Sequence, residues 1–190
     1  MKKIVIGTVA LLFLLAGCGQ KKESAEPSKD TTTEALQSTL PVLENANNNT
    51  VVTKTLVLPA DKNGVQQTQT ITYKGKQFLT LTIQQKRQVS EDLKNFIAEH
   101  GLEAAKQALK EGEDKDESVQ EARKIPGFSL ETNLLSETEI ETKTSYDFQV
   151  LDVKKASESK YLKNVGLENL LKNEPEEYIE NRVASGATVQ

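Results

Sequence analysis

The sequence predicts an α+β domain: an antiparallel sheet with helices packed on one face. Three observations predict it. Residues 51–85 and 130–150 alternate apolar and polar side chains with period two, as half-buried strands do. Residues 90–112 and 154–183 carry apolar side chains at helical spacing. The resulting order of strands, helices, strands and helices lacks a strict βαβ rhythm, which points to an antiparallel sheet rather than a parallel one.

The elements follow in order. Val51 to Leu58 is rich in β-branched and apolar residues and ends at Pro59 and Asp61-Lys62-Asn63-Gly64, where Asn-Gly is a hairpin signal. From Val65 to Lys74, Val65, Ile71 and Tyr73 share one face, and Thr68, Thr70, Thr72 and Lys74 the other. Gly75-Lys76 marks the next turn. Gln77 to Gln85 alternates again, with Leu79, Leu81 and Ile83 opposed to Thr80, Thr82 and Gln84. These three segments read as an antiparallel meander. Phe78 has the parity of Thr80 and Thr82, so it is expected on the exposed side.

The period then changes. Ser90 can cap a helix that places Leu93, Phe96, Ile97 and His100 on one stripe, and Gly101 ends or kinks it. Leu102, Ala104, Ala105, Ala108 and Leu109 continue a helical face to Gly112. Glu113 to Glu117 is expected to be a solvated acidic loop, with one or two helical turns from Ser118 to Lys124, stopped by Pro126-Gly127. From Glu137 to Val150 the alternation is clearest: Thr138, Ile140, Thr142, Thr144, Tyr146, Phe148 and Val150 oppose Glu137, Glu139, Glu141, Lys143, Ser145, Asp147 and Gln149. Leu130 to Leu135 is its expected hairpin partner. Lys154 to Leu162, Gly166 to Leu171 and Pro175 to Val183 read as helices, the last with a first-turn proline. Ser185 to Gln190 is expected to be a frayed tail.

Ahead of this domain (residues 51–190) lie two other segments. Residues 1–17 have a basic start, Lys2-Lys3, and an apolar core of 14 residues from Ile4 to Gly17. That is below the roughly 18 to 20 residues a helix needs to cross a bilayer, so export and cleavage is the better reading. The core ends in Leu15-Ala16-Gly17-Cys18, and Cys18 is the single cysteine of the 190-residue chain. Leu-Ala-Gly-Cys resembles the lipobox of bacterial lipoproteins. The resemblance implies that Cys18 receives a diacylglyceryl group and becomes the first mature residue. Two acyl chains, at about 0.8 kcal/mol per buried CH₂, give stable anchoring where one is marginal. Residues 18–50 then read as the lipidated cysteine and a disordered polar tether, too poor in apolar side chains to fold.

Composition narrows the function. Without Lys2 and Lys3 the mature chain carries a formal charge of −6. Nucleic acid and anionic lipid would repel it, so membrane attachment is expected through the diacylglyceryl on Cys18. Lipidation removes the only thiol, so no disulfide staples the domain. His100, the only histidine, lacks identifiable metal or catalytic partners, and a structural or surface role is expected. Glu113, Asp114, Asp116 and Glu117 lack the ligand spacing and turn glycine of a calcium loop. Glu137, Glu139 and Glu141 line one strand face and are expected to pair with cations across strands. Tyr73, Phe78, Tyr146 and Phe148 could line a pocket, though core packing is the simpler expectation. No catalytic residue, cofactor or metal is expected, and the chain is not read as an enzyme.

Thr72-Tyr73-Lys74-Gly75-Lys76, Ile125-Pro126-Gly127 and Tyr146-Asp147-Phe148, in this order behind a lipobox, resemble the YehR-like lipoproteins, over roughly Leu56 to Lys172. That family carries a domain of unknown function. The resemblance implies one α+β domain at the outer face of the cell membrane, in a Gram-positive envelope for preference. The expected function is a binding or interaction module of the envelope, its partner a protein, a polymer or a small ligand. The alternatives are a small solute-binding component serving a transporter and, last, an envelope hydrolase.

Overall fold

The computed structural model describes residues 50–190. The signal segment, Cys18 and all but the end of the tether lie outside the described residues. β1 (Val51–Val57), β2 (Gln66–Lys74) and β3 (Gln77–Gln88) form the expected antiparallel meander. Then come α1 (Glu91–His100), α2 (Leu102–Lys115) and α3 (Glu117–Arg123), followed by the hairpin β4 (Phe128–Leu134) and β5 (Glu139–Asp147). α4 (Val153–Glu158), α5 (Leu167–Leu170), α6 (Pro175–Ala184) and a short β6 (Thr188–Val189) complete the chain. The sheet order is β4-β5-β3-β2-β1-β6, antiparallel throughout.

Local chemistry sets the helix boundaries. The Ser90 side chain accepts from the Leu93 N–H, and Asp116 accepts from Ser118 and Val119, each satisfying orphan donors at a helix start. Gly101, at φ 86°, separates α1 from α2, and its N–H bonds back to the Ile97 carbonyl. The expected acidic loop is therefore not a loop. Glu113 and Asp114 lie in the last turn of α2, where both pair with Arg123 at 2.6 and 3.5 Å, and Asp116 caps α3.

One sheet face is covered by the helices. Leu56, Ile71, Tyr73, Leu81, Ile83, Phe128, Leu130 and Tyr146 point into the main core, against Val119, Ala122, Leu162, Val165, Leu167, Leu170, Tyr178 and Ile179. A smaller apolar cluster joins Val89, Leu134 and Ile140 to Ile97 and Ala105 of the α1–α2 hairpin.

Two expectations are corrected. Phe78 is buried, not exposed. The register shifts between β2 and β3: Thr72 faces Thr80, but Tyr73 faces Phe78, so Leu79 is an extra residue in β3. Such a bulge reverses side-chain parity on one side of it. Phe78 thus enters the core, edge-on to Phe148 and Tyr178. The C-terminal tail is not frayed either. Ala187 is buried, and Thr188 and Val189 pair with Val57 and Leu56 as the edge strand β6.

Candidate functional site: the open face of the sheet

Among the described residues no helix packs on the second sheet face. Its chemistry follows from parity. β1 presents Thr53 and Thr55; β2, Thr68, Thr70 and Thr72; β3, Thr80 and Thr82; β5, Ser145 and Asp147; β4, Ser129. The register aligns them across strands. Thr55, Thr70, Thr82, Ser145 and Ser129 stand in one row of five hydroxyls over β1, β2, β3, β5 and β4. At about 4.8 Å per strand the row is on the order of 20 Å long. Thr53, Thr72, Thr80 and Asp147 form a second row beside it.

Neighbouring hydroxyls bond to one another: Thr53 to Thr72 at 3.0 Å, Thr55 to Thr70 at 3.3 Å, Thr82 to Ser145 at 3.0 Å. Each bond uses one donor and leaves acceptor capacity facing outward. Where the rows meet β4, a shallow depression of about 360 Å³ is lined by Thr80, Thr82, Ser129, Ser145 and Asp147, with Gly127, Phe128 and Tyr146 completing the wall. Gly127 is required there. At φ 81° it brings its carbonyl to the Asp147 N–H at 2.7 Å, and a Cβ would stand 2.6 Å from the Asp147 carbonyl oxygen.

Charges flank the rows. Glu139 faces Gln88 and Glu141 faces Lys86; the Glu141 carboxylate accepts from the Gln84 side chain at 2.5 Å. Each acid thus faces a cation or an amide across the strands, although among the described residues no Lys or Arg makes an ion pair with either. Glu137 lies in the β4–β5 turn instead.

The remaining candidates serve structure. Tyr73 and Tyr146 lie in the core with Phe78, and Phe148 packs against it. His100 is exposed, its ring edge-on to Phe96 at 4.5 Å. On the covered side, Lys54 and the Tyr73 hydroxyl both donate to the Glu176 carboxylate, Lys54 at 2.9 Å, tying α6 to β1 and β2. Burial and then the Glu176 bond push the Tyr73 hydroxyl up. Burial pushes Glu176 up, but hydrogen bonds from Tyr73 and Lys54 outweigh it and hold the carboxyl below its usual range. The three groups satisfy one another. Among the described residues no three His, Cys, Asp or Glu side chains gather as a metal site, and no helix is long and apolar enough to cross a membrane.

The hydroxyl rows were partly visible in sequence, as Thr-x-Thr in three successive strands. Their alignment needed the register.

Fold and face together define a two-layer α+β domain with helices on one side and an open polar sheet on the other. A sequence model of the YehR-like family matches residues 51–182, and the chain belongs to that family. It is similar to a protein from Streptococcus pneumoniae TIGR4 whose NMR structure is 64% identical, with a TM-score of 0.70, over 87% of this chain and 100% of that one. The NMR structure of the E. coli YehR protein is 19% identical, with a TM-score of 0.48, over 74% of this chain and 91% of that one. No functionally curated protein matches the chain.

Proposed function

We propose that this protein is a lipoprotein anchored through diacylglyceryl on Cys18 to the outer face of the cell membrane, and that its domain is a binding module rather than an enzyme. The ligand is a neutral, hydroxyl-rich polymer of the envelope, held across the open sheet face. The observation that carries this reading is the continuous row of five hydroxyls ending in the depression beside Asp147.

Lasting protein interfaces are anchored by buried aromatic or arginine side chains. The rows hold none, and the large exposed apolar side chains are scattered over Val51, Leu135, Val150, Leu171, Val183 and Val189. A row of hydroxyls instead matches the repeated hydroxyls and amides of a glycan, each bond contributing about 1 kcal/mol net. Such binding is weak per site, and many copies on one membrane strengthen it through multivalency. A solute-binding component for a transporter commonly closes two lobes on its ligand; the described residues form a single sheet with one helical layer.

Co-sedimentation of the full chain with purified cell-wall glycan tests the reading. The wild type is expected to pellet with the polymer. The double variant Thr70→Val, Thr82→Val keeps the strand shape and loses two hydroxyls, so about tenfold or more of the affinity should go. Equal retention of both proteins would refute the face as the binding surface. Recovery of one stoichiometric protein by crosslinking on intact cells, with no glycan retention, would replace the polymer with a protein partner. The anchor has its own test: Cys18→Ala should leave the membrane fraction or accumulate uncleaved. Normal processing and membrane retention would refute lipidation.

A further inference from the structure

The strands of the open face carry four carboxylates: Glu131 on β4, and Glu139, Glu141 and Asp147 on β5. Three of them face a cation or an amide across the strands. Glu131 faces Lys143, Glu139 faces Gln88 and Glu141 faces Lys86. Asp147 does not. It faces Thr80 on β3, and its backbone partner on the β4 side is Gly127, which has no side chain. Among the described residues Asp147 makes no ion pair. No Lys or Arg lines the depression that it borders.

The hydrogen bonds around Asp147 leave half of its carboxylate available. The Gln149 N–H donates to Oδ1 at 3.0 Å, and among the described residues Oδ2 takes no bond. The Thr80 hydroxyl is also without a side-chain partner there, whereas the Thr82 hydroxyl next along β3 is bonded to Ser145 at 3.0 Å. Residues directly opposite in an antiparallel pair stand about 4.5–5.5 Å apart at Cβ, so one small group can touch both Asp147 and Thr80.

The chemistry of that group follows from the pair. An ionised carboxylate only accepts hydrogen bonds, and a threonine hydroxyl can accept as well. The pair therefore calls for a donor, and the unneutralised charge calls for a cationic one. Charge-assisted hydrogen bonds are roughly twice as strong as neutral ones. An ammonium is a compact head with several donors, so it reaches both acceptors. The depression, at about 360 Å³, has room for the sugar that carries it.

We propose that the depression takes a protonated primary amine, carried by an amino sugar of the otherwise neutral polymer, with its ammonium between Asp147 Oδ2 and the Thr80 hydroxyl. The preference rests on the glycan reading and deepens it, by naming the sugar that the end of the hydroxyl row selects.

Calorimetric titration of the full chain in detergent tests it, with soluble tetramers of glucosamine and, separately, of N-acetylglucosamine, at a pH that keeps the amines protonated. The wild type should bind the glucosamine tetramer about fivefold more tightly, since the carboxylate is partly exposed to solvent. Asp147→Asn keeps an Oδ1 acceptor for the Gln149 N–H and loses the charge, so the ratio of the two affinities should fall to about one. Glu131→Gln removes the same charge from the same face outside the depression and should leave the ratio unchanged. In the wild type, NMR should show the Thr80 and Asp147 amide signals moving further with the glucosamine tetramer than with the acetylated one, a readout that needs no variant. Equal affinities in the wild type, a ratio retained by folded Asp147→Asn, or a ratio lost equally in Glu131→Gln would overturn the amine site and leave the glycan reading standing. Failure of both tetramers and of cell-wall glycan to bind would overturn both.

Discussion

At the residue scale, two positions show how much a single backbone geometry decides. Phe78 reaches the core only because Leu79 is an extra residue in β3. Simple alternation from Leu81 puts Phe78 outside, and nothing in the sequence marks the bulge. Once inside, Phe78 lies 6.0 Å, edge-on, from both Phe148 and Tyr178. Phe78→Ala is therefore predicted to cost about 3–5 kcal/mol, read as a lower denaturant midpoint at unchanged m-value. A cost typical of an exposed position, below about 0.5 kcal/mol, would restore the simple parity. Glycine substitutions should split in sign. Gly127→Ala meets the Asp147 carbonyl and a positive φ, so a loss of more than about 1–3 kcal/mol is expected. Gly112 sits inside α2 with nothing within 4 Å of a Cβ, and Gly112→Ala should gain about 0.5–1 kcal/mol. Paired thermal melts of the two variants check both signs; a shift in the same direction would contradict the account.

At the element scale, the strands were legible and the element ends were not. Period-two alternation identified β2, β3 and β5 because one face of each is buried and the other is not, which is the condition that creates the pattern. α2 was expected to stop at Gly112. It runs to Lys115, where Lys115 pairs with Glu111 and Arg123 draws Glu113 in from another element, a contact that spacing cannot reveal. β6 was missed because two exposed residues carry no pattern; its register comes from the β1 edge. The α6 latch carries a pH prediction. Glu176 is held below its unfolded range, so its contribution is present above the ordinary glutamate value, about 4.3, and is lost as pH falls through the folded value. The carboxylate is half exposed, which screens the pair to about 1 kcal/mol or less. Glu176→Gln should lower the neutral side of the melting-temperature profile slightly and leave the acid end almost unchanged, so the acid limb between them flattens. An acid limb as steep as that of the wild type would remove the latch from the account.

At the scale of the whole molecule, the two sheet faces divide the work, and the tyrosines show which face holds the fold together. All four lie on the covered side. Tyr73 donates to Glu176, Tyr178 donates to the buried Gln69 at 2.9 Å, and Tyr146 and Tyr161 flank Phe128 between β5 and the α4–α5 region. Burial raises every one of them, most strongly Tyr146 and Tyr161. A hydroxyl whose folded value exceeds its unfolded value contributes stability that is complete below the unfolded value, about 10, and is lost as pH rises through the folded one. The four contributions therefore disappear in the same alkaline window. The open face has no tyrosine and takes no part. Alkaline titration should show little tyrosinate absorbance near pH 10, then a cooperative rise that coincides with loss of the far-ultraviolet helix signal, because ionisation requires the helices to leave the sheet. Four independent titrations near pH 10 with helix content intact would mean that the covered face is open to water, and that the helical layer does not seal the core against which the hydroxyl face is displayed.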